Sequence, residues 1–255
     1  MPASRHTLPM AGHQNNIETF KAMLPQPLGE ALADHARFMQ LKSGQILMGH
    51  QDTSTDVFLV LEGTLRVELQ SMNGREIILA NVGEGDIVGE FAALDNQPRS
   101  ASVSATSKCV VARIPGGLFS DSVWRSPESA QWITQRLVGQ IRQLTERVFE
   151  LNALAVRSRL HCELLRLSLD SGVENNAAII SPAPTHVQFS SMIGTHREAV
   201  TRELQYLHKQ GISRQDGRTL TVCDVAKLAE IVRAAAGDVE LIQRANQAQI
   251  GRSLD

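Results

Sequence analysis

The stretch Gly89-Glu90-Phe91-Ala92-Ala93-Leu94-Asp95-Asn96-Gln97-Pro98-Arg99-Ser100-Ala101 sets a glycine, an acid and a short helix-forming run before an Arg-Ser pair. Gly89 allows backbone to approach a ligand closely. The residues after it open a helical turn whose first N–H groups have no partner within the helix, and the Arg99-Ser100 pair can receive a phosphate through charge-assisted bonds. Glu90 is an awkward neighbour for a phosphate unless it accepts from hydroxyls, and a ribose supplies one. The grouping suits a sugar phosphate, with Gly89, Glu90, Phe91, Ala92, Arg99 and Ser100 as the candidate ligand residues. The plain structural alternative is a capped turn leading into a strand, with Arg99 an ordinary surface residue. An exposed arginine contributes little stability, so Arg99→Ala is expected to abolish binding and leave the fold intact.

Around this stretch, from Phe38 to Ile114, run the short apolar segments QILM, VFLVL, TLRVEL, EIILANV, DIVGEF, SASVSA and CVVARI, punctuated by glycines. Such spacing argues for an antiparallel sandwich or roll. Asn73-Gly74 is a strong hairpin signal, because a type I′ turn wants positive φ at both central residues. Gly83, Gly85 and Gly89 come near a dinucleotide fingerprint but carry one residue too many and sit between strands, so they read as turn formers.

The periodicity then changes. Ser126-Pro127-Glu128 reads as a helix start, with a capping serine, a proline where its missing donor is harmless, and an acid near the positive end of the dipole. Leu137, Ile141, Leu144, Val148, Leu151 and Ala155 follow at spacings of 4, 3, 4, 3 and 4. That is a heptad seam, narrower than the stripe a globular core demands, and it points to a coiled coil between two copies, the plain alternative being one helix packed on its own domain. Residues 157–170 form a further amphipathic helix ended by Ser171-Gly172, followed by the Pro-rich link SPAPT. Thr185 and Gln188 make a capping box for a helix that Gly194 ends. Thr195 then caps a second helix, HREAVTRELQYLHKQ, stopped by Gly211. Two short helices joined by a glycine turn are a helix-turn-helix candidate, and ISRQDGRTLTVCD reads as a two-stranded wing around Asp216-Gly217.

Composition is that of a globular chain: 255 residues, 42% hydrophobic, 20% charged and a net charge of −2. Residues 1–155 hold 13 Lys/Arg against 16 Asp/Glu, 156–223 hold 8 against 6, and 224–255 hold 4 against 5, so the mildly basic block is the helix-turn-helix. No run approaches the roughly 18 apolar residues of a membrane span, and the opening residues lack the apolar core of a secretory signal, so a cytoplasmic protein is expected. Cys109, Cys162 and Cys223 stand 53 and 61 residues apart, which suggests reduced thiols and no metal site. G-x-S-x-G, H-E-x-x-H and P-loop signatures are absent, no catalytic residues are assigned, and an enzyme is not expected. Trp124 and Trp132 read as core or hinge packing and Cys109 as core.

The stretch from Gly89 to Ala101 resembles the phosphate-binding cassette of cyclic-nucleotide-binding domains, and the helical pair resembles the winged helix-turn-helix of the catabolite activator protein (Crp/Fnr) family. The likeness spans about Phe38 to Val222 and includes G-Q-x-L and D-V-F-x-V-L-E-G-x-L-R-V between Gly44 and Val67. Gly49-His50-Gln51-Asp52 departs from the family's common Gly-Asp pair, in a loop expected to lie away from the cassette. The resemblance implies an α+β chain: a lead-in over 1–30, a cyclic-nucleotide-binding β-roll over 31–125, a dimerisation helix over 126–155, a winged helix-turn-helix over 156–223 and a helical tail over 224–255. It gives Glu90 the ribose 2′-hydroxyl and Arg99 and Ser100 the cyclic phosphate. Thr145 takes the second place of a Thr-Ser pair that meets the base, Leu144 standing in the first. Cyclic AMP is the implied ligand, the alternatives being a ligand-independent regulator of the same fold or one that senses cyclic GMP or cyclic di-GMP. Arg197, Glu198 and Arg202 are implied to read bases, with Thr195, His196 and Thr201 beside them, because arginine forks match guanine and glutamate accepts from cytosine. Implied partners are palindromic double-stranded DNA, a second copy of the chain and RNA polymerase, with no membrane. The N-terminal cysteine cluster of iron–sulfur relatives is missing, and only a lone Pro2 hints at haem.

Overall fold

A computed structural model describes residues 10–72 and 76–250, and the chain divides into two compact units that meet at Gly139 and Gln140. Asn73-Gly74 and Pro2 lie outside the described residues. The first unit holds α1 (Met10–Ala22), α2 (Gln26–Ala33), β1 (Arg37–Leu41), β2 (Ile46–Met48), β3 (Val57–Glu62), β4 (Leu65–Gln70), β5 (Glu76–Val82), β6 (Ile87–Val88), α3 (Glu90–Asp95), β7 (Ser102–Ala105), β8 (Cys109–Ile114), α4 (Gly116–Arg125) and the start of α5 (Pro127–Ala153). Two antiparallel four-stranded sheets, ordered β1-β8-β3-β6 and β2-β7-β4-β5, form the expected roll.

The unbroken apolar run of β3 follows from burial on both faces, since side chains alternate along a strand. Val57, Leu59 and Leu61 join Ala112 and Ile114 of β8 in a core with Phe20, Leu28, Leu32, Phe119, Val123 and Ile133 from the helices. Phe58 and Val60 point the other way, with Cys109, Val111, Leu65 and Val103. The lead-in is thereby revised: Phe20, Leu28 and Leu32 are fully buried, so residues 10–33 complete the roll's core, and a boundary after residue 30 would cut α2. Trp132 packs beside that core, but Trp124 is exposed, against the expectation for both.

The second unit holds the rest of α5, then α6 (Val156–Asp170), β9 (Val173–Glu174), β10 (Ala177–Ile180), α7 (His186–Ile193), α8 (Arg197–Lys209), β11 (Ser213–Asp216), β12 (Thr219–Val222), α9 (Val225–Ala236) and α10 (Glu240–Ile250). Ser126 Oγ accepts from Ser129 N–H at 3.4 Å, as the helix-start reading expects. The capping box of Thr185 and Gln188 is formed, and Gly194 ends α7 in the left-handed region at φ 65°. Two local expectations fail. His196, not Thr195, occupies the N-cap of α8 and makes no capping bond; and α5 ends at Ala153, so Ala155 caps α6 and drops out of the seam. The wing is part of a four-stranded sheet, β11-β12-β10-β9, because Asn175 and Asn176, both at positive φ, turn a hairpin ahead of the Pro-rich link. Asn176 ties that hairpin to α9 through Asp224 and Ala226 N–H, and α10 buries Leu241, Ile242 and Ala245. Residues 224–250 thus belong to the packed body of this unit.

Candidate ligand site and nucleic-acid interface

Gly89 sits at φ +88° between β6 and α3, and a Cβ there would lie 2.5 Å from Arg99 Nη1 and 2.7 Å from the Asp56 carbonyl oxygen. Only glycine fits. Glu90 and Ala92 are buried while Phe91 and Ser100 are exposed. Arg99 is 2% exposed, which overturns its reading as a surface residue. Its Nη1 donates to the Gly89 carbonyl at 2.8 Å, Nη2 to the Asp56 carbonyl at 2.6 Å and Nε to Ser54 Oγ at 3.2 Å. Burial pulls the guanidinium below its usual pKa range, partly offset by Asp56, Asp52 and Glu90. The arginine that faces the cassette therefore also ties it to the chain before β3, and the expectation that Arg99→Ala leaves the fold intact falls with the premise of exposure.

The loop Gly49–Asp52 also proves to be part of this site, contrary to the expectation that it lies elsewhere. Gln51 N–H donates to the Arg99 carbonyl and Arg99 N–H to the Asp52 carbonyl, both at 2.9 Å, while His50 N–H donates to Ser102 Oγ. Asp52 closes the loop by accepting from Gly49 N–H at 2.8 Å, and Gln51 takes φ 68°.

On α8, Arg197, Glu198 and Arg202 are exposed, with His196 exposed just before them. The opposite face buries Val200, Leu204 and Leu207, so packing aims the charged face outward. Thr195 is half-buried; so is Thr201, whose hydroxyl lies 2.8 Å from His186 Nδ1 and donates to the Arg197 carbonyl at 3.0 Å.

Thr145 belongs to the second unit and is exposed, its hydroxyl donating to the Ile141 carbonyl at 2.9 Å. Beside it Ile141, Leu144, Val148 and Leu151 are 62, 50, 60 and 48% exposed, an apolar seam open along four successive positions. The last turns of α5 are fastened to α6 by a set the sequence reading did not find. Glu163 takes Arg147 at 2.7 Å and Arg166 at 2.6 Å, and Arg166 also bonds Glu150. Burial alone would raise the Glu163 carboxyl, but the two guanidinium groups outweigh it and hold it below the usual carboxylate range. At Glu150 burial wins over the same arginines and its carboxyl is raised. Cys162 beside them is pushed up to about 12, by burial first and then by Glu150, which makes it an inert thiol.

Residues 38–123 match the cyclic nucleotide-binding domain family and residues 158–231 the Crp-like helix-turn-helix domain family. The chain thus joins a cyclic nucleotide-binding domain to a Crp-like helix-turn-helix domain. It is 24% identical over 197 residues to the cAMP-activated global transcriptional regulator CRP of Salmonella typhimurium, covering 77% of the chain and 94% of that relative. Its fold is that of FixK2 from Bradyrhizobium japonicum, at TM-score 0.69 and 20% identity, covering 79% of this chain and 99% of that one. It also matches the c-di-GMP responsive global regulator CLP of Xanthomonas campestris, at TM-score 0.64 and 20% identity, covering 83% and 98%. The first match falls inside the reach of the sequence resemblance, and the second runs past its end at Val222 into α9. Among the described residues, no helix is long and apolar enough to cross a membrane.

Proposed function

We propose that this regulator is a homodimer that binds cyclic AMP in its β-roll and, so loaded, binds palindromic double-stranded DNA through α8. The observation that carries the ligand reading is the Gly89–Glu90–Arg99 arrangement within the cyclic nucleotide-binding match: a glycine that no other residue can replace, a buried acid, and an arginine held behind them. Three of the five N–H donors of Arg99 are engaged by its own chain, which leaves two for a phosphate. Glu90 would take the ribose hydroxyl and Ser100 a phosphate oxygen. Thr145 would meet the base. The exposed seam from Ile141 to Leu151 supports the second copy, since an apolar stripe of this length is costly to leave in water. Binding would bias two arrangements of the DNA-binding units, favouring the one whose recognition helices match successive major grooves. RNA polymerase is the further partner that the family implies, and no catalytic role is assigned.

A second reading keeps the regulator and changes the ligand to cyclic GMP or cyclic di-GMP. It is favoured by Leu144 standing where the family pair has its first hydroxyl, and a protein of the same fold is a c-di-GMP responsive regulator. Isothermal titration of the full chain with the three nucleotides separates the readings. Cyclic AMP binding with the highest affinity is expected; heat from cyclic di-GMP alone establishes the second, and heat from none of them removes the ligand-responsive function.

A further inference from the structure

Two histidines from outside α8 take hold of the recognition helix. His161 on α6 is 5% exposed and places Nε2 2.8 Å from Glu203 Oε1. His186, the first residue of α7, places Nδ1 2.8 Å from Thr201 Oγ1. Thr201 and Glu203 flank Arg202, and two residues apart on an α-helix means about 200° apart around its axis. Grips on nearly opposite sides resist rotation of α8, and rotation is what sets the direction in which Arg197, Glu198 and Arg202 project.

The His161 ring is poised for one protonation state. Its Nδ1 is buried with no hydrogen-bond partner. A neutral ring protonated on Nε2 donates to the Glu203 carboxylate and leaves only a lone pair at Nδ1. A second proton would create a buried N–H with no acceptor, which is costly. We propose that His161, in its neutral Nε2–H form, is a positioning residue for sequence reading by α8, and that acid which protonates Nδ1 loosens α8 and lowers discrimination between DNA sequences. The inference rests on the DNA-binding reading of α8.

Charge around the ring agrees with this. Burial depresses the His161 pKa, Glu203 on α8 opposes that through its hydrogen bond and charge, and Arg157 four residues back on α6 adds to the depression. Glu203 and Arg157 are thus the charged groups that set the state of the ring. A histidine depressed in the folded state contributes stability that is complete above its unfolded pKa of about 6.5 and is lost as pH falls from there toward the lower folded value.

Two measurements on the full chain decide it. With imidazole-¹⁵N histidine, and with His161 identified by its loss in His161→Gln, the ring is expected as the Nε2–H tautomer, protonating below the ordinary histidine range. A proton on Nδ1, or an ordinary titration, overturns the proposal. In the second, a duplex selected by the wild-type protein is compared with its scrambled version in the presence of cyclic AMP. The affinity ratio should fall about threefold between about pH 7.5 and about pH 5.0, nearly all of it below about pH 6. His161→Gln, whose amide can still donate to Glu203 but takes up no proton, should match the wild type at the higher pH and lose the fall. A wild-type ratio indifferent to pH, or an equal fall in His161→Gln, overturns the proposal. A wild type that prefers no duplex at either pH removes the DNA-binding reading instead, and the tautomer measurement still decides whether the ring holds Glu203 as described.

Discussion

Arg99 and Arg197 carry the same head group into opposite surroundings. Arg99 is buried, with its Nε and both terminal nitrogens bonded to its own chain, whereas Arg197 stands exposed on the first turn of α8. A pocket that closes over a small anion must hold its arginine in place before the anion arrives. A surface that meets a duplex needs its arginines in water, where counterions leave on binding. The same substitution is therefore expected to do different things in the two units: in the roll it removes a piece of structure together with the proposed ligand contact, and on α8 the proposed DNA contact alone.

The largest effect expected from this contrast is at Arg99. Arg99→Ala leaves the Gly89 and Asp56 carbonyls without their charged donor, and bonds to charged groups contribute about 1.5 to 3 kcal/mol each, not fully additive. A loss of about 4 kcal/mol is expected in the first unit. Urea unfolding followed by tryptophan fluorescence reads it directly, because Trp124 and Trp132 both lie in that unit. An unchanged midpoint would mean that the buried bonds contribute nothing and that the two arginines differ only in name.

Buried charge in the second unit tests whether burial or ligand binding is the source of that cost. Glu163→Gln leaves Arg147 and Arg166 facing only Glu150, and breaking such a set should cost about 3 kcal/mol. The loss should appear in the helical circular dichroism transition while the tryptophan transition stays in place. A shift of the tryptophan signal instead would show that the two units do not unfold separately.

What the sequence made legible follows the range of the interactions. The cassette, the capping box at Thr185, the glycine stops and the wing strands are local, and each rests on residues within a few positions of one another. Sequence alone offers Arg99 as a candidate ligand residue but gives no sign of its burial, because its partners Ser54 and Asp56 lie more than 40 positions upstream and only the folded roll brings them near. The Gly49–Asp52 loop was set aside for the same reason, and so was the part Phe20, Leu28 and Leu32 play in the core. The hairpin at Asn175-Asn176 did carry a local signal, two residues that tolerate positive φ, and could have been read. The His161–Glu203 pair had none: the two stand 42 positions apart and neither belongs to a motif.

A smaller effect is expected on the DNA face, where it sharpens the contrast with Arg99. Glu198→Ala should leave both unfolding transitions within about 0.5 kcal/mol of wild type, since the side chain is exposed. It should also relax the choice at one base pair, at a cost of about 1 to 3 kcal/mol per lost contact. Selection from a random duplex pool checks this: the same motif returned by wild type and variant would take Glu198 off the reading face.

Thr145 should show the smallest effect, because it has neither the burial of Arg99 nor the charge of Glu198. Its hydroxyl already donates to the Ile141 carbonyl, so what it can offer a base is its lone pairs, unless it swings away from its own helix. As an acceptor it suits the adenine amino group better than the guanine carbonyl; swung away, it can donate to either. With Leu144 beside it in place of a second hydroxyl, discrimination between the bases should be loose, and cyclic GMP is expected to compete within about two orders of magnitude, roughly 2.8 kcal/mol. Thr145→Ala should weaken cyclic AMP by about 1 kcal/mol, reduce cyclic GMP binding as well, and diminish the gain in DNA affinity that the ligand confers. Stability should not change, since an exposed threonine bonded only to its own helix holds nothing together. Titration with both nucleotides, alongside DNA binding with and without ligand, tests all three. Unchanged affinity and unchanged DNA response would leave Thr145 a polar flank of the apolar seam.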